Sequence, residues 1–191
     1  MQNKKRESLD GKNIVLGVCS SIAVYKAAEL ASALSRLGAG VSVVMTENAK
    51  RLVSPRIFQT LSRNKVHSSM WDEITDWKPE HISLAESADL LLVAPATANA
   101  IGNFAQGLAP DLLASLYLAA TCPVLIAPAM NSAMYANPSV KRNIETLLRD
   151  GVKFVGPEEG SLACGTSGRG RLAEIGAIID AAADILESSE N

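Results

Sequence analysis

Four short apolar runs constrain this chain more than any single residue does, because each hands over to small polar residues. They are Asn13–Val18 (NIVLGV), 41–45 (VSVVM), 88–93 (ADLLLV) and 123–126 (PVLI), with little or no apolar–polar alternation. Strands of that kind are buried on both faces, as in a parallel sheet with helices above and below. The first run ends in Cys19-Ser20-Ser21 and the second in Thr46. The third ends in Ala94-Pro95-Ala96-Thr97-Ala98-Asn99, the fourth in Ala127-Pro128-Ala129-Met130-Asn131. Strands alternating with helical stretches predict an α/β fold. The expected form is a single-domain, doubly wound, mostly parallel sheet (Rossmann-like or flavodoxin-like) with helices on both faces. Open sheets of this type bind ligands beyond the carboxyl ends of their strands, and every polar cluster named above lies there.

The remaining segments fill in this plan. Apolar spacing predicts helices over 22–37, 110–120, 138–150 and 173–186, and Ser54-Pro55 opens a short one with a cap and a first-turn proline. Minor strands are expected at 66–69 and 152–155, and a loop at 70–80. The 110–120 helix is apolar on nearly every side, so it is buried within the monomer or against another subunit. With few large aromatics to fill a core, a subunit contact is favoured. Residues 156–170 carry five glycines and no periodicity, the mark of a mobile or functional loop. At 191 residues one domain is expected, over 12–187, with a disordered tail at 1–11 and a short one at 188–191.

Composition excludes several function classes. Apolar residues make up 48% and charged residues 20%, and the net charge of -2 gives no electrostatic footprint for nucleic acid. Cys19, Cys122 and Cys164 are widely spaced, odd in number and form no CxxC pair. That argues against a disulfide framework and a metal site, and fits a reducing cytoplasm. The start lacks a signal peptide's apolar core, and no apolar run reaches the roughly 18 residues of a membrane span, so no membrane partner is expected.

The polar clusters suggest specific chemistry. A strand turning into a helix through Ser20 and Ser21 presents backbone N–H groups and hydroxyls to an anion. Without GxGxxG, a mononucleotide phosphate is favoured over a dinucleotide, and serines that only cap the helix are the alternative. Thr46 is expected close to a phosphate held by Ser21. Thr97 and Asn99 suit a ring or ribityl chain, or Thr97 is an N-cap. Asn131, read as buried, offers two donors and one acceptor, suited to a carboxylate or ring edge; capping a helix from Ser132 is the alternative. His81 is one of two histidines, and a lone histidine is more often structural. Nothing around His67 suggests a site. Cys164 lies in the glycine-rich loop, an unusual place for a core cysteine.

Five stretches together carry a family resemblance. They are SIAVYK (21–26), VVMT (43–46), HISLAESADLLLVAPATAN (81–99), PAMNSAMY (128–135) and LACGTSGRGRLAE (162–174). The chain resembles the homo-oligomeric flavin-containing cysteine decarboxylases, and within them the branch acting on 4'-phosphopantothenoylcysteine in coenzyme A biosynthesis. The resemblance implies FMN as cofactor. It implies phosphate contacts from Ser20, Ser21 and Thr46, a flavin-lining segment of Thr97, Ala98, Asn99 and Ala100, and a backbone contact from Ala129. It further implies His81 as the active-site histidine, Asn131 gripping the substrate carboxylate, and Cys164 as proton donor. Ala163 and Leu172 are implied to contact substrate beside Cys164. The chain departs from the family's usual pattern at Cys19-Ser20, Asn103, Tyr135, Thr166 and Leu172.

The implied reaction removes CO2 from a cysteine carboxylate that has no electron sink of its own. Flavin chemistry at the carbon bearing sulfur creates one and is later reversed, so net redox change is zero. The implied assembly is a trimer with flavin between subunits, or a dodecamer. A separate phosphopantothenoylcysteine synthetase is expected for the preceding step. The rival readings are decarboxylation of another cysteine conjugate, such as a peptide's C-terminal cysteine, and a non-catalytic FMN-binding regulatory subunit.

Overall fold

The computed structural model describes residues 6–71, 77–161 and 167–189. Six strands form one sheet: β1 (Asn13–Val18), β2 (Gly40–Met45), β3 (Val66–His67), β4 (Leu90–Ala96), β5 (Val124–Pro128) and β6 (Lys153–Phe154). Their order is 3-2-1-4-5-6, and every pairing is parallel. The helices are α1 (Val24–Arg36), α2 (Glu47–Lys50), α3 (Pro55–Ser62), α4 (Glu80–Ser87), α5 (Ala98–Ala105), α6 (Leu112–Ala119), α7 (Ser132–Ala136), α8 (Pro138–Arg149) and α9 (Ile175–Ser189). The doubly wound sheet expected from the apolar runs is therefore present.

Successive side chains of a strand point to opposite faces, and the core divides accordingly. Ile14, Leu16 and Val18 of β1 join the cluster covered by α1, α3 and α9. Val15 and Cys19 join the cluster covered by α4, α5, α6 and α8. Strand β4 lies at the centre of both, and Leu90, Leu91 and Leu92 are fully buried. Each such leucine contributes roughly 1.5–3 kcal/mol relative to exposure. Gly17 permits a close helix approach: a Cβ there would meet Leu113 Cδ1 at 2.6 Å.

Three expectations are corrected. The N-terminal tail does not extend to residue 11: Glu7–Leu9 forms a 3-10 turn, Leu9 is buried, and Arg6 Nε donates to Asp180 Oδ1 at 2.8 Å. One buried leucine and one ion pair against α9 tie the segment down, and α9 itself continues to Ser189. Helix α1 begins at Val24 rather than residue 22, because the Val24 N–H closes a turn on the Ser21 carbonyl (3.0 Å).

The third correction concerns the glycine-rich stretch, which forms an antiparallel hairpin of β7 (Glu158–Ser161) and β8 (Ser167–Arg171). Its side chains are too small and polar to show a hydrophobic period, while its backbone groups find partners across the hairpin. Gly170 is required by a close approach, since a Cβ there would collide with the Met130 carbonyl oxygen. The Met130 N–H in turn donates to the Gly170 carbonyl at 3.0 Å, docking the hairpin on the chain leaving β5.

Candidate functional site

Strand β1 pairs with β2 on one side and β4 on the other, so the chain winds in opposite directions from the β1–β4 boundary. The connections leaving the two strands diverge there and open a crevice. A cavity of about 590 Å³ lies in it, between the turn after β1, the ends of β4 and β5, and strand β8. Ser20, Ser21, Thr97, Ala98, Ala129 and Asn131 all line it. On the other side of Ser20 and Thr97 is a cleft of about 220 Å³ that includes Thr46, Asn99 and Ala100. Thr46 thus shares a cleft with Ser20.

The cap and ligand readings prove compatible at several of these positions. Asn131 Oδ1 accepts from the Ala133 N–H at 2.8 Å and caps α7. Thr97 Oγ1 accepts from the Ala100 N–H at 3.3 Å and caps α5. Thr46 Oγ1 accepts from the Ala49 N–H at 3.2 Å and caps α2. Ser21 Oγ accepts from the Ala23 N–H at 3.3 Å without capping α1. A hydroxyl that accepts from an N–H retains its own hydrogen as a donor. These caps therefore orient donors at the strand ends. Asn131 is half-buried at the cavity wall rather than buried as expected.

Cys19, one of the departures from the family pattern, is turned into the core at 1% exposure. Burial pushes its thiol up to about 12, with hydrogen bonds involving Thr97 opposing the shift, so it stays a neutral core group. Leu172, implied as a substrate contact, is mainly a core residue whose edge reaches the cavity. Ala163 and Cys164 lie outside the described residues.

Sequence reading passed over Tyr25, Lys26, Met134 and Arg171, which also line the cavity. All four lie inside the five motifs, which was the available signal. Arg171 Nη2 donates to Glu158 Oε2 at 2.9 Å and to Glu174 Oε1 at 2.6 Å, and Lys26 Nζ is 3.7 Å from Glu174 Oε2. The Glu174 N–H and then Arg171 hold the Glu158 carboxyl below the usual range. Arg171 Nε is a buried donor with no partner among the described residues, and it packs against Gly160, where an added Cβ would stand 3.4 Å away.

His81 is not brought to this cavity within one chain. It sits in the first turn of α4, which packs on α6, and it is absent from the cavity lining. His67 has partners the sequence did not reveal: its Nδ1 is 2.6 Å from Glu80 Oε1, and Lys65 Nζ donates to the same oxygen at 3.1 Å. Burial would raise the Glu80 carboxyl, but His67 and Lys65 outweigh it and hold it low. The pair pins the start of α4, where the N-cap Pro79 supplies no side-chain bond. The 110–120 helix, seen as α6, buries Leu112, Leu113, Ala114 and Leu116 within the monomer and leaves Leu118 half exposed.

Residues 2–187 match the profile of the Flavoprotein family. The chain belongs to that family. This Flavoprotein member is 53% identical over 166 residues to the coenzyme A biosynthesis bifunctional protein CoaBC of Bacillus subtilis (strain 168), covering 87% of this chain and 41% of that protein. It is 44% identical over 170 residues to a probable phosphopantothenoylcysteine decarboxylase of Streptococcus mutans serotype c, covering 88% of this chain and 95% of that one. The chain spans about two fifths of the length of the bifunctional relatives it matches.

Among solved structures, a PPC decarboxylase cysteine-to-serine mutant complexed with pantothenoylaminoethenethiol superposes with a TM-score of 0.81 at 29% identity. That alignment covers 92% of this chain and 98% of the other. The FMN-dependent cysteine decarboxylase SpaF gives a TM-score of 0.82 at 30% identity, covering 96% and 99%. Among the described residues no helix is long and apolar enough to cross a membrane.

Proposed function

We propose that this protein decarboxylates 4'-phosphopantothenoylcysteine to 4'-phosphopantetheine with FMN, a step of coenzyme A biosynthesis. The observation that carries this reading is the crevice itself, where Ser20, Ser21, Thr97, Ala129 and Asn131 meet around one cavity. At about 590 Å³ it falls within the range of about 300–1,000 Å³ usual for small-molecule sites. Its lining fits a flavin mononucleotide: an apolar wall and hydroxyl donors at strand ends. Ser20, Ser21 and Thr97 would hold the cofactor, with Thr46 reaching it through the adjoining cleft. Bound FMN supplies reversible two-electron chemistry at the carbon bearing sulfur, which gives the electrons of the departing carboxylate a place to go.

The chain's own residues then act on the substrate. Capping of α7 sets the plane of the Asn131 amide, the group assigned to hold the substrate carboxylate for departure. Cys164 is assigned as the donor of the proton that replaces CO2. The enethiol held by the mutant relative is the species expected when such a donor is missing. His81 is assigned to the same chemistry from a neighbouring copy in a trimer, or in a dodecamer of trimers. Ile22, Tyr25 and Met134 leave an apolar rim at the cavity mouth, 65%, 64% and 49% exposed, which a second copy would cover.

The decisive test records the visible spectrum of the purified protein, adds phosphopantothenoylcysteine, and follows product by mass spectrometry. A flavin spectrum with formation of phosphopantetheine is expected. A flavin-loaded protein that forms none would transfer the reading to another cysteine conjugate or to a regulatory role. A protein that FMN cannot reconstitute would overturn it. Cys164→Ser is expected to release CO2 and accumulate the enethiol, and normal turnover by that variant would remove Cys164 from its role.

A further inference from the structure

The proposed chemistry leaves open what aims His81. It is the second residue of α4, an eight-residue helix whose N-cap, Pro79, supplies no side-chain bond. A helix this short is marginal by itself, so its first turn depends on what holds it. Within that turn the Ile82 and Ser83 N–H groups donate to one acceptor, the Pro79 carbonyl, at 3.0 and 3.1 Å. One turn further on, Leu84 and Ala85 are buried against the core on which α6 packs. The start of α4 is tied instead by polar groups, through the 2.6 Å contact of Glu80 Oε1 with His67 Nδ1 on β3.

An ionised carboxylate can only accept, so His67 Nδ1 carries the hydrogen of this bond, and a neutral imidazole suffices. The donor is itself fixed to the sheet, because His67 is in register with Val44 of β2. Lys65 Nζ reaches the same oxygen, but with its side chain 53% exposed it adds little. Residues four apart share a helix face, so Glu80 and Leu84 anchor α4 at two points along one line. Leu84 holds the middle of the helix and Glu80 its beginning. His81 follows Glu80 by one residue, about 100° around the axis, so this line sets its direction. Neither His67 nor Glu80 lies within the five stretches that carry the family resemblance. We infer that His67 and Glu80 are positioning residues for His81, acting by tethering the first turn of α4 to strand β3. This rests on the role assigned to His81 above and adds the device that aims it.

The test measures turnover and amide hydrogen exchange in the FMN-loaded protein and its Glu80→Ala, Glu80→Gln and His67→Asn variants. Glutamine keeps an acceptor for the Nδ1 hydrogen, and asparagine keeps a donor near the place of Nδ1, whereas alanine keeps neither. In Glu80→Ala the Ile82 and Ser83 amides should lose protection while the Leu92 amide keeps its own. Its kcat is expected to fall about 10- to 100-fold, as for a misplaced catalytic group, with KM and the flavin spectrum unchanged. Glu80→Gln and His67→Asn should recover most of both losses. In a His81→Ala background Glu80→Ala should cost no further activity, a non-additivity that a purely structural tether would not show. Unchanged exchange, equal losses in Glu80→Gln and Glu80→Ala, or the same kcat loss in the His81→Ala background would each overturn the inference.

Should His81→Ala turn over normally, or the wild-type protein not turn over at all, the reading of the reaction fails first. The His81 ring resonances then judge the tether separately by NMR. A shift in Glu80→Ala that Glu80→Gln reverses would keep it, and resonances unmoved in both would remove it.

Discussion

The parallel sheet and the β7–β8 hairpin both contribute walls to one cavity, yet different forces hold them. Ser20, Thr97 and Asn131 stand beyond β1, β4 and β5, whose side chains are buried on both faces. Arg171 stands on a hairpin with few buried side chains. Among the described residues the hairpin is held by a backbone bond from Met130 to Gly170, a close glycine contact, the Arg169 guanidinium over the Tyr135 ring, and the Arg171–Glu158–Glu174 ion pairs. The sheet side should therefore be rigid and indifferent to pH and salt. The hairpin side, which carries Cys164 in sequence, should respond to both.

Three perturbations would sharpen or break that contrast. The largest effect is expected from Leu92→Ala in β4, where the side chain is fully buried at the sheet centre. Such a truncation costs about 2–5 kcal/mol, and the whole chain should lose stability together, seen as one shifted thermal transition. A transition confined to the hairpin would contradict the division of forces.

Gly170→Ala comes next, since the added Cβ meets the Met130 carbonyl and can be relieved only by moving backbone. Overpacking of this kind costs roughly 1–3 kcal/mol. The Met130 amide should lose hydrogen-exchange protection while the Leu92 amide keeps its own. Equal loss at both would mean that hairpin and sheet unfold as one unit.

The smallest effect concerns acid. Glu158 has a depressed carboxyl pKa in the folded state, so its contribution is present above the unfolded value of about 4.3 and fades as pH falls through that value towards the folded one. Met130 amide protection should decline over that acid window in the wild type, and the decline should be weaker in Glu158→Gln. A pH response unchanged by the substitution would release Glu158 from this role.

Much of this arrangement was legible in the residues. NIVLGV, VSVVM, ADLLLV and PVLI read as buried parallel strands because burial on both faces needs unbroken apolar runs, and each became a strand of the sheet. Ser20, Ser21, Thr97, Ala129 and Asn131 could be placed together from their positions after those strands. The hairpin was illegible, because its order comes from backbone bonds and ion pairs that leave no hydrophobic period. The His67–Glu80 pair was hidden likewise, since its members are far apart in sequence and meet only when β3 and α4 come together. His81 read as part of the same site, but one chain does not bring it there.

The sequence by itself determined the class of fold and the strand ends at which polar residues gather, because hydrophobic periodicity and small-residue turns are local properties. Only the tertiary structure decided that Thr46 shares its cleft with Ser20, that Cys19 belongs to the core, and that His67 meets Glu80 at the start of α4. Those outcomes depend on which distant side chains meet. Such meetings follow from packing a whole core at once, which no local pattern encodes.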